Sequence, residues 1–286
     1  MSASATLDEE LAGLDQLEAH HEQHPRWHVR VWAATWPKLL AIAIVLTIWQ
    51  FAYWREWKPT YVLPSPSAVW GVFWNDIRTV ELWEAIANTM RRAVVGFTLA
   101  LAIGGAVGLA MSRSRILRSA LGSLVTGAQT MPSIAWFPFA ILLFGLTDQS
   151  ITFVVVLGAA PSIANGIIGG IDTVPPLFRR LGTSMGAGTV SLYRDFVVPA
   201  AMPSVVAGLK QGWAFSWRSL MAGELLVLIP GIPTLGGRLD FAREFSRADS
   251  MIATMIVILI VGILVDTLVF GRIERRVLAR RGLSPH

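Results

Sequence analysis

Six long, mainly apolar runs constrain the fold of this 286-residue chain more than any other feature. About 20 apolar residues in an α-helix span the hydrocarbon core of a bilayer. The runs cover 37–54, the stretch from Arg92 to Arg113, two stretches between Arg118 and Asp172, 204–229 and 250–271. Only 15% of the residues are charged, against about a quarter in soluble domains. The sequence therefore predicts an all-α membrane protein with about six transmembrane helices.

The basic residues between these runs predict the orientation. Segment 112–120 has three arginines and no acid, and "GRIERRVLARRGLSPH" at the C-terminus has five arginines and one glutamate. Loops rich in arginine and lysine stay in the cytoplasm. We therefore expect a multi-pass protein of the cell (inner) membrane with both termini and residues 185–203 in the cytoplasm. Arg91 and Arg92 oppose this rule, and we expect them to snorkel to the outer interface.

The regions outside the spans carry fewer signals. Residues 1–35 predict a polar cytoplasmic extension, followed by a transmembrane domain over 36–286. His20, His21, His24 and His28 lie close together, but without cysteine or a later cluster a solvated tail is favoured and no metal site is predicted. Segment 59–89 is too polar to span, and its aromatic residues predict an interfacial helix on the outer face.

Two of the predicted spans contain residues that are unusual in lipid. The third contains Pro132 and Pro138, which interrupt helical hydrogen bonding. This pattern is compatible with an ordinary kinked span or with a broken helix facing protein or a water-filled cavity. The fifth contains Arg218 and Glu224, and a charge inside a membrane helix implies a partner or a cavity.

The fifth helix places its polar residues on two neighbouring stripes, which suits a polar pathway through a bundle. The alternative is structural pairing, with Arg218 against Asp266 or Glu224. The candidates for a substrate pathway or gate are Trp136, Trp213, Trp217, Arg218 and Glu224.

The segment "MGAGTVSLYRDFVVPAAMP" (185–203) is neither a span nor a short turn. Its glycines and prolines predict a short helix over 188–196 with turns on both sides. Tyr193, Arg194 and Asp195 would form a polar tip beside an apolar shoulder at 196–198. Such a helix can dock in a groove on another protein.

The spacing of Gly186, Phe196, Val198 and Pro199 resembles the cytoplasmic loop motif of type I ABC importer permeases. The stretches "LPSPSAVWGVFW", "TMPSIAWFPFAILLFG" and "WRSLMAGELL" are similar to the nitrate/sulfonate/taurine branch of that family. The resemblance covers roughly 60–280. Where the family motif begins Glu-Ala-Ala, this chain has Arg180, Leu181 and Gly182.

The resemblance implies the type I ABC importer permease fold, with a cytoplasmic coupling helix in a loop at about 180–203. It implies a homodimer in the bilayer, with cytoplasmic ATP-binding subunits and an extracytoplasmic substrate-binding protein as partners. The chain itself would bind no cofactor, because the partner subunit hydrolyses ATP. The imported solute would be small and polar or anionic, such as a sulfonate, taurine or nitrate. The residues implied in ATPase coupling are Gly186, Tyr193, Arg194, Asp195, Phe196 and Pro199.

Several other functions have less support in the sequence. The chain has no Gly-Lys dipeptide, hence no P-loop, and no hydrolase motif, so we do not expect an enzyme. Its basic residues lie in loops between spans, so no nucleic-acid partner is expected. A secondary ion-coupled transporter remains open, with Arg218, Glu224 and Asp266 as an ion relay. A scaffold subunit without a pathway also remains open.

Overall fold

A computed structural model describes residues 27–279, which contain helices and no strands. The first helix, α1 (Trp27–Trp54), belongs to a separate compact unit that ends at Trp57. It continues through position 35, where the sequence places the start of the membrane domain. His20, His21 and His24 lie outside the described residues, so the interpretation of the N-terminal tail stays a prediction.

Ten further helices form the second unit. They are α2 (Pro66–Asp76), α3 (Val80–Arg113), α4 (Arg115–Thr130), α5 (Phe137–Phe144), α6 (Asp148–Asp172), α7 (Pro176–Ser184), α8 (Val198–Leu226), α9 (Leu235–Glu244), α10 (Ala248–Val265) and α11 (Gly271–Ala279). A short 3₁₀ helix (Ser133–Trp136) precedes α5, a helical turn (Thr189–Ser191) and a π-helical segment (Leu192–Val197) precede α8, and a second π-helical segment (Asp266–Phe270) joins α10 to α11.

Each of the six apolar runs is helical in the structure. Within the described residues, four helical stretches are long and apolar enough to cross a membrane: α1 from Thr35, α3, α6, and the continuous stretch from α10 to α11. The bent pair α4–α5 is a fifth candidate. The remaining run, the fifth in chain order (204–229), corresponds to α8, which is 29 residues long but contains Lys210, Arg218 and Glu224.

The proline-containing span is broken rather than gently kinked. Helix α4 and the helical stretch Ser133–Phe144 meet at an angle of 102°. The break lies at Met131 and Pro132, where the backbone is extended. Because proline has no N–H to continue the ladder, the chain turns sharply at this point.

The predicted interfacial helix at 59–89 is divided into two parts. Ser65 accepts a hydrogen bond from the Ala68 amide and begins α2, and Pro66 occupies its first turn. The helix ends at Asp76, and residues from Val80 onward already belong to α3. The segment therefore contains α2 and the first turns of α3, which makes α3 longer than the second apolar run. The place of α2 at the outer interface stays a prediction.

Helix α6 occupies the centre of the second unit, between α3 and α8. Small residues allow this close packing. A Cβ atom on Gly104 would lie 2.4 Å from the backbone oxygen of Ala160, and one on Gly166 would lie 2.5 Å from the Cα of Gly208. Gly104 and Gly108 of α3 therefore serve close packing against α6.

The substitution Gly166→Ala should destabilise the protein by about 1–3 kcal/mol, because the new methyl group forces α6 and α8 apart. Thermal unfolding in detergent measures this loss. Gly169→Ala on the same helix is the matched control, because a Cβ there meets no atom within 4 Å. Equal stability of the two variants would contradict the packing described here.

Candidate functional site

One end of the helical bundle contains a buried network of charged and polar groups, and we call it the network end. It includes the beginnings of α3 and α6, the end of α8 and the beginning of α9. The opposite end includes the end of α3, the beginning of α4, the end of α6 and the 180–203 segment. We call it the arginine-rich end.

The carboxylate of Glu224 lies at the centre of the network and is fully buried. The Thr89 hydroxyl donates to it at 2.9 and 3.1 Å from the two oxygens, and Arg92 Nη1 lies 3.2 Å from Oε1. The Gly236 amide in the first turn of α9 donates to Oε2 at 3.1 Å. The Leu235 amide donates to the Thr89 hydroxyl at 3.0 Å. Glu224 therefore connects α3, α8 and α9.

Arg92 extends this network to α6. Its Nη2 lies 2.7 Å from Oδ1 of Asp148, and Arg91 lies 3.4 Å from the other oxygen. The Arg92 side chain is only 5% exposed. The prediction that Arg92 snorkels to the interface was therefore wrong, because two carboxylates within the fold compensate the charge of the buried guanidinium. Arg91, whose side chain is 61% exposed, does reach the surface.

The pairing within α8 differs from the pairs considered from the sequence. Glu224 pairs with Arg92 rather than Arg218, and Asp266 lies 3.5 Å from Lys210 rather than near Arg218. Thr89 and Arg92 are three residues apart and so share one face of α3. The exception that Arg92 makes to the charge rule marks this arginine as unusual, but nothing in the sequence identifies Glu224 as its partner.

Arg218, six residues before Glu224, has a different environment. Its Nε donates to the carbonyl of Ala214 at 3.1 Å, and its Cζ lies 4.6 Å from the centre of the Phe215 ring. Among residues 27–279 no carboxylate lies within ion-pair distance of it. It is exposed on the surface of the unit. Of the three charged residues of α8, Lys210 and Glu224 thus have oppositely charged partners and Arg218 has none in the described part of the chain.

Two cavities meet at Arg218. A groove of about 870 Å³ lies between α8 and α10, with Trp217, Met221 and Asp266 among its lining residues. A smaller cavity of about 320 Å³ lies at the break between α4 and α5, lined also by Ser133. The guanidinium therefore lies between an open apolar groove and the unwound part of a membrane helix.

The three candidate tryptophans occupy different positions. Trp213 is buried against Phe97 and Phe270, with ring centres 5.4 and 5.9 Å away, and only part of it reaches the groove. Trp217 stacks on Trp213 at 6.2 Å and lines the groove. Trp136 is partly buried beside the core near the break. The structure brings Trp217 and Arg218 together at the groove, and places Glu224 apart from it.

At the arginine-rich end, Gly186 closes α7 with a turn that requires glycine. Its φ is +78°, which disfavours other residues. The Gly186 amide donates to the Thr183 carbonyl, and the Ala187 amide donates to the Gly182 carbonyl, both at 3.0 Å. These two bonds form a Schellman motif, which reverses the chain after α7.

The helix predicted at 188–196 is not an isolated element. A helical turn begins at Thr189, and the π-helical segment Leu192–Val197 leads directly into α8. No turn follows it because Pro199 lies in the first turn of α8, where proline needs no N–H partner. The prediction of turns on both sides was therefore wrong at the C-terminal side. A movement of this segment is a movement of the beginning of α8.

Within this segment the candidate residues have distinct contacts. Tyr193 lies under the guanidinium of Arg113, 4.9 Å from the ring centre. Asp195 accepts a hydrogen bond from the Ser191 hydroxyl at 2.8 Å, and the Arg194 side chain is 84% exposed. A Cβ on Gly182 would lie 2.4 Å from Leu192 Cδ1 and 3.1 Å from Phe196 Cδ2. Gly182 thus lets α7 pack against the π-helical segment.

Part of the exposed surface at the arginine-rich end is apolar. The exposed hydrophobic side chains are Leu177, Phe178, Leu181, Met185 and Val190. They lie on α7 and on the turn that leads to α8, beside basic Arg179 and Arg180. Contiguous exposed apolar side chains with charged neighbours are typical of a protein interaction site.

These features define an α-helical membrane transport subunit: several apolar spans, one broken helix, an unpaired arginine at a groove and an apolar surface at one end. The family described as "Binding-protein-dependent transport system inner membrane component" matches residues 96–279. The chain belongs to this family, and it is a membrane-spanning permease subunit of an ABC importer.

Individual proteins agree with this assignment. The putative aliphatic sulfonates transport permease protein SsuC of Escherichia coli (strain K12) is 30% identical over 224 residues, which cover 78% of this chain and 82% of that protein. The taurine transport system permease protein TauC of the same strain is 24% identical over 237 residues, covering 81% and 85%. A chain of the inward-facing MetNI methionine ABC transporter has the same fold, with a TM-score of 0.57 at 20% identity over 69% of this chain and 96% of that one.

We expect Glu224→Ala to lower the free energy of unfolding by about 3–5 kcal/mol, because it leaves Arg92 buried without one of its two partners. Denaturation in mixed detergent micelles measures the change. Glu244→Ala removes an exposed carboxylate from α9 and should alter stability by no more than about 0.5 kcal/mol. A Glu224→Ala protein as stable as wild type would show that the network does not hold the helices together.

Proposed function

We propose that this permease imports a small anionic solute and that Arg218 contacts the solute in the pathway. The free guanidinium of Arg218 in a membrane helix is the observation that carries this proposal. An isolated charge in hydrocarbon is costly, so it needs water, a partner or a ligand. Glu224 in the same helix has a charged partner within the chain, whereas Arg218 has no carboxylate partner among the described residues.

The chemistry of arginine favours an anion. A guanidinium binds sulfonate, nitrate or carboxylate oxygens through charge-assisted, often bidentate hydrogen bonds. Two relatives are named for aliphatic sulfonates and for taurine, both of which carry a sulfonate group. Trp217 and Met221 beside Arg218 would contact the apolar part of such a solute.

The open groove supports a pathway shared between two copies of the chain. The groove between α8 and α10 is open on the side that faces away from this subunit. Arg218 is exposed on that open surface. A second copy placed against this groove would enclose the guanidinium and separate it from lipid. Such a homodimer would have two related arginines along one pathway.

The arginine-rich end provides the ATPase-docking surface in this proposal. Its charge pattern favours the cytoplasmic side, and its apolar side chains suit the groove of a soluble partner. Gly186, Phe196 and Pro199 shape the surface, and Tyr193, Arg194 and Asp195 lie at its edge. The partner subunit binds and hydrolyses ATP, and an extracytoplasmic binding protein delivers the solute at the network end.

Val190→Asp should release the ATP-binding subunit, because a charge in the apolar docking surface opposes its burial. Val80→Asp is a matched control: Val190 is 75% exposed and Val80 is 72% exposed, but Val80 lies at the network end. The complexes are purified in mild detergent, and the bound P-loop ATPase and its ATP hydrolysis are measured. Loss of the ATPase from both variants, or from neither, would argue against this docking surface.

Arg218→Gln should abolish most ATP-dependent uptake while the ATPase stays bound, and Arg218→Lys should retain part of it because one positive charge remains. Uptake of radiolabelled taurine, an alkanesulfonate and nitrate is measured in proteoliposomes with the ATPase and binding protein. Arg272→Gln is the control, because Arg272 is an exposed arginine of α11 with no carboxylate partner in the described part of the chain. Normal uptake of all three anions by Arg218→Gln would remove Arg218 from the pathway.

A further inference from the structure

Segment 112–120 has a role beyond membrane topology. A topology signal needs only positive charge on the correct side of the membrane, without particular partners. In the structure, however, two of the three arginines of this segment have specific partners. Asp172, the partner of Arg118, precedes the coupling loop (180–203), and Tyr193, the partner of Arg113, lies within it. The side chain of the third, Arg115, is exposed and makes no hydrogen bond or ion pair with any residue in the described part of the chain.

Arg118, in the first turn of α4, pairs with Asp172, the last residue of α6. Nη1 donates to Oδ1 at 3.0 Å, and Nη2 donates to Oδ2. Two parallel bonds fix both the distance and the orientation of the two groups. Only three residues separate Asp172 from α7, so this pair attaches the beginning of α4 to the helix that leads into the coupling loop.

Arg113, the last residue of α3, contacts the other side of the loop. Its guanidinium lies over the ring of Tyr193 at 4.9 Å, a cation–π contact. Ser114 follows Arg113 and begins α4 by accepting a hydrogen bond from the Leu117 amide. The corner between α3 and α4 is therefore attached to the coupling loop on both sides.

Helix α4 continues from this corner to the break beside Arg218. After the break, the Ser219 hydroxyl donates to the Ser133 hydroxyl at 2.8 Å. Helix α8 thus contacts the broken helix next to the arginine of the proposed pathway. The contacts form a continuous route from the coupling loop, through Arg118 and α4, to the pathway.

We propose that the Arg118–Asp172 pair, supported by Arg113 and Tyr193, transmits movement of the coupling loop to the broken helix. This inference rests on the proposed function, because it assumes that an ATPase moves the loop. In it, α4 and the loop move as one body, and the break at 131–132 is the place where the movement changes the shape of the pathway. The arginines are positioning residues and do not contact the solute.

The energetics of the pair make the proposal testable. Both side chains are nearly half exposed, at 45% and 43%, and ion pairs of this kind add little to stability. Removing the pair should therefore leave the subunit folded and the ATPase bound. What should change is the number of solute molecules moved for each ATP hydrolysed.

The first experiment uses the complete complex in proteoliposomes and measures uptake and ATP hydrolysis together. Arg118→Asp and Asp172→Arg should each lower uptake per ATP by about tenfold, a usual size for coupling between sites. The double variant Arg118→Asp/Asp172→Arg restores the pair with its charges exchanged and should recover most of the ratio. Arg115→Asp, the matched control in the same segment, should stay within about twofold of wild type.

A second experiment uses the absence of cysteine from this chain. The variant Arg118→Cys/Asp172→Cys should be uncoupled like the single variants. A short bis-methanethiosulfonate linker between the two thiols should restore uptake per ATP, and a reductant should remove the effect. The cysteine-free permease treated in the same way controls for reaction at the partner proteins.

The outcomes separate this inference from the proposed function. Wild-type complex without ATP-dependent uptake would contradict the proposed function itself. Wild-type uptake together with unchanged ratios in Arg118→Asp and Asp172→Arg would overturn the inference alone. A second result would also overturn the inference alone. In that result the single variants lose coupling with the ATPase still bound, and neither the exchanged pair nor the linker restores uptake per ATP.

Discussion

The carboxylate of Glu224 can be buried only because donors from other helices surround it. Thr89 and Arg92 come from α3, and the Gly236 amide comes from the first turn of α9. A buried charge without such partners would cost several kcal/mol. The network therefore fixes the end of α8 against α3, and through Arg92 and Asp148 it also fixes α6. The positions of the break, of Arg218 and of the groove depend on this fixed arrangement.

Helix packing sets the remaining geometry. The contact of Gly166 with Gly208 brings α6 and α8 together at backbone distance, and Gly104 does the same for α3. With α6 held closely on both sides, these three helices form the closely packed core. The break after α4, the groove beside α10 and the loop before α8 lie around this core. This division between a closely packed core and peripheral elements suits a transporter that must change shape without losing its fold.

Helix α8 relates the two ends of the subunit. Its 29 residues extend about 43 Å at 1.5 Å per residue, from the coupling loop past Arg218 to Glu224. The π-helical segment precedes it, the ion-paired carboxylate of Glu224 lies near its end, and Arg218 lies between them. In the proposed mechanism the near end of α8 moves while Glu224 holds the far end, so the groove beside Arg218 is where the change of shape is expected.

The sequence by itself determined the membrane class, the helical runs, the disruptive effect of Pro132 and the spacing of the loop motif. Each of these follows from local composition, because hydrophobic length, missing N–H groups and glycine geometry act along the chain. Only the tertiary structure decided which charge has a partner. Arg92 and Glu224 are 132 positions apart, and no local pattern shows that folding brings them together. For the same reason Arg118 looked like a topology signal, since its partner Asp172 lies across the fold. The prediction of turns after 188–196 was wrong because Pro199 can begin a helix as well as end one.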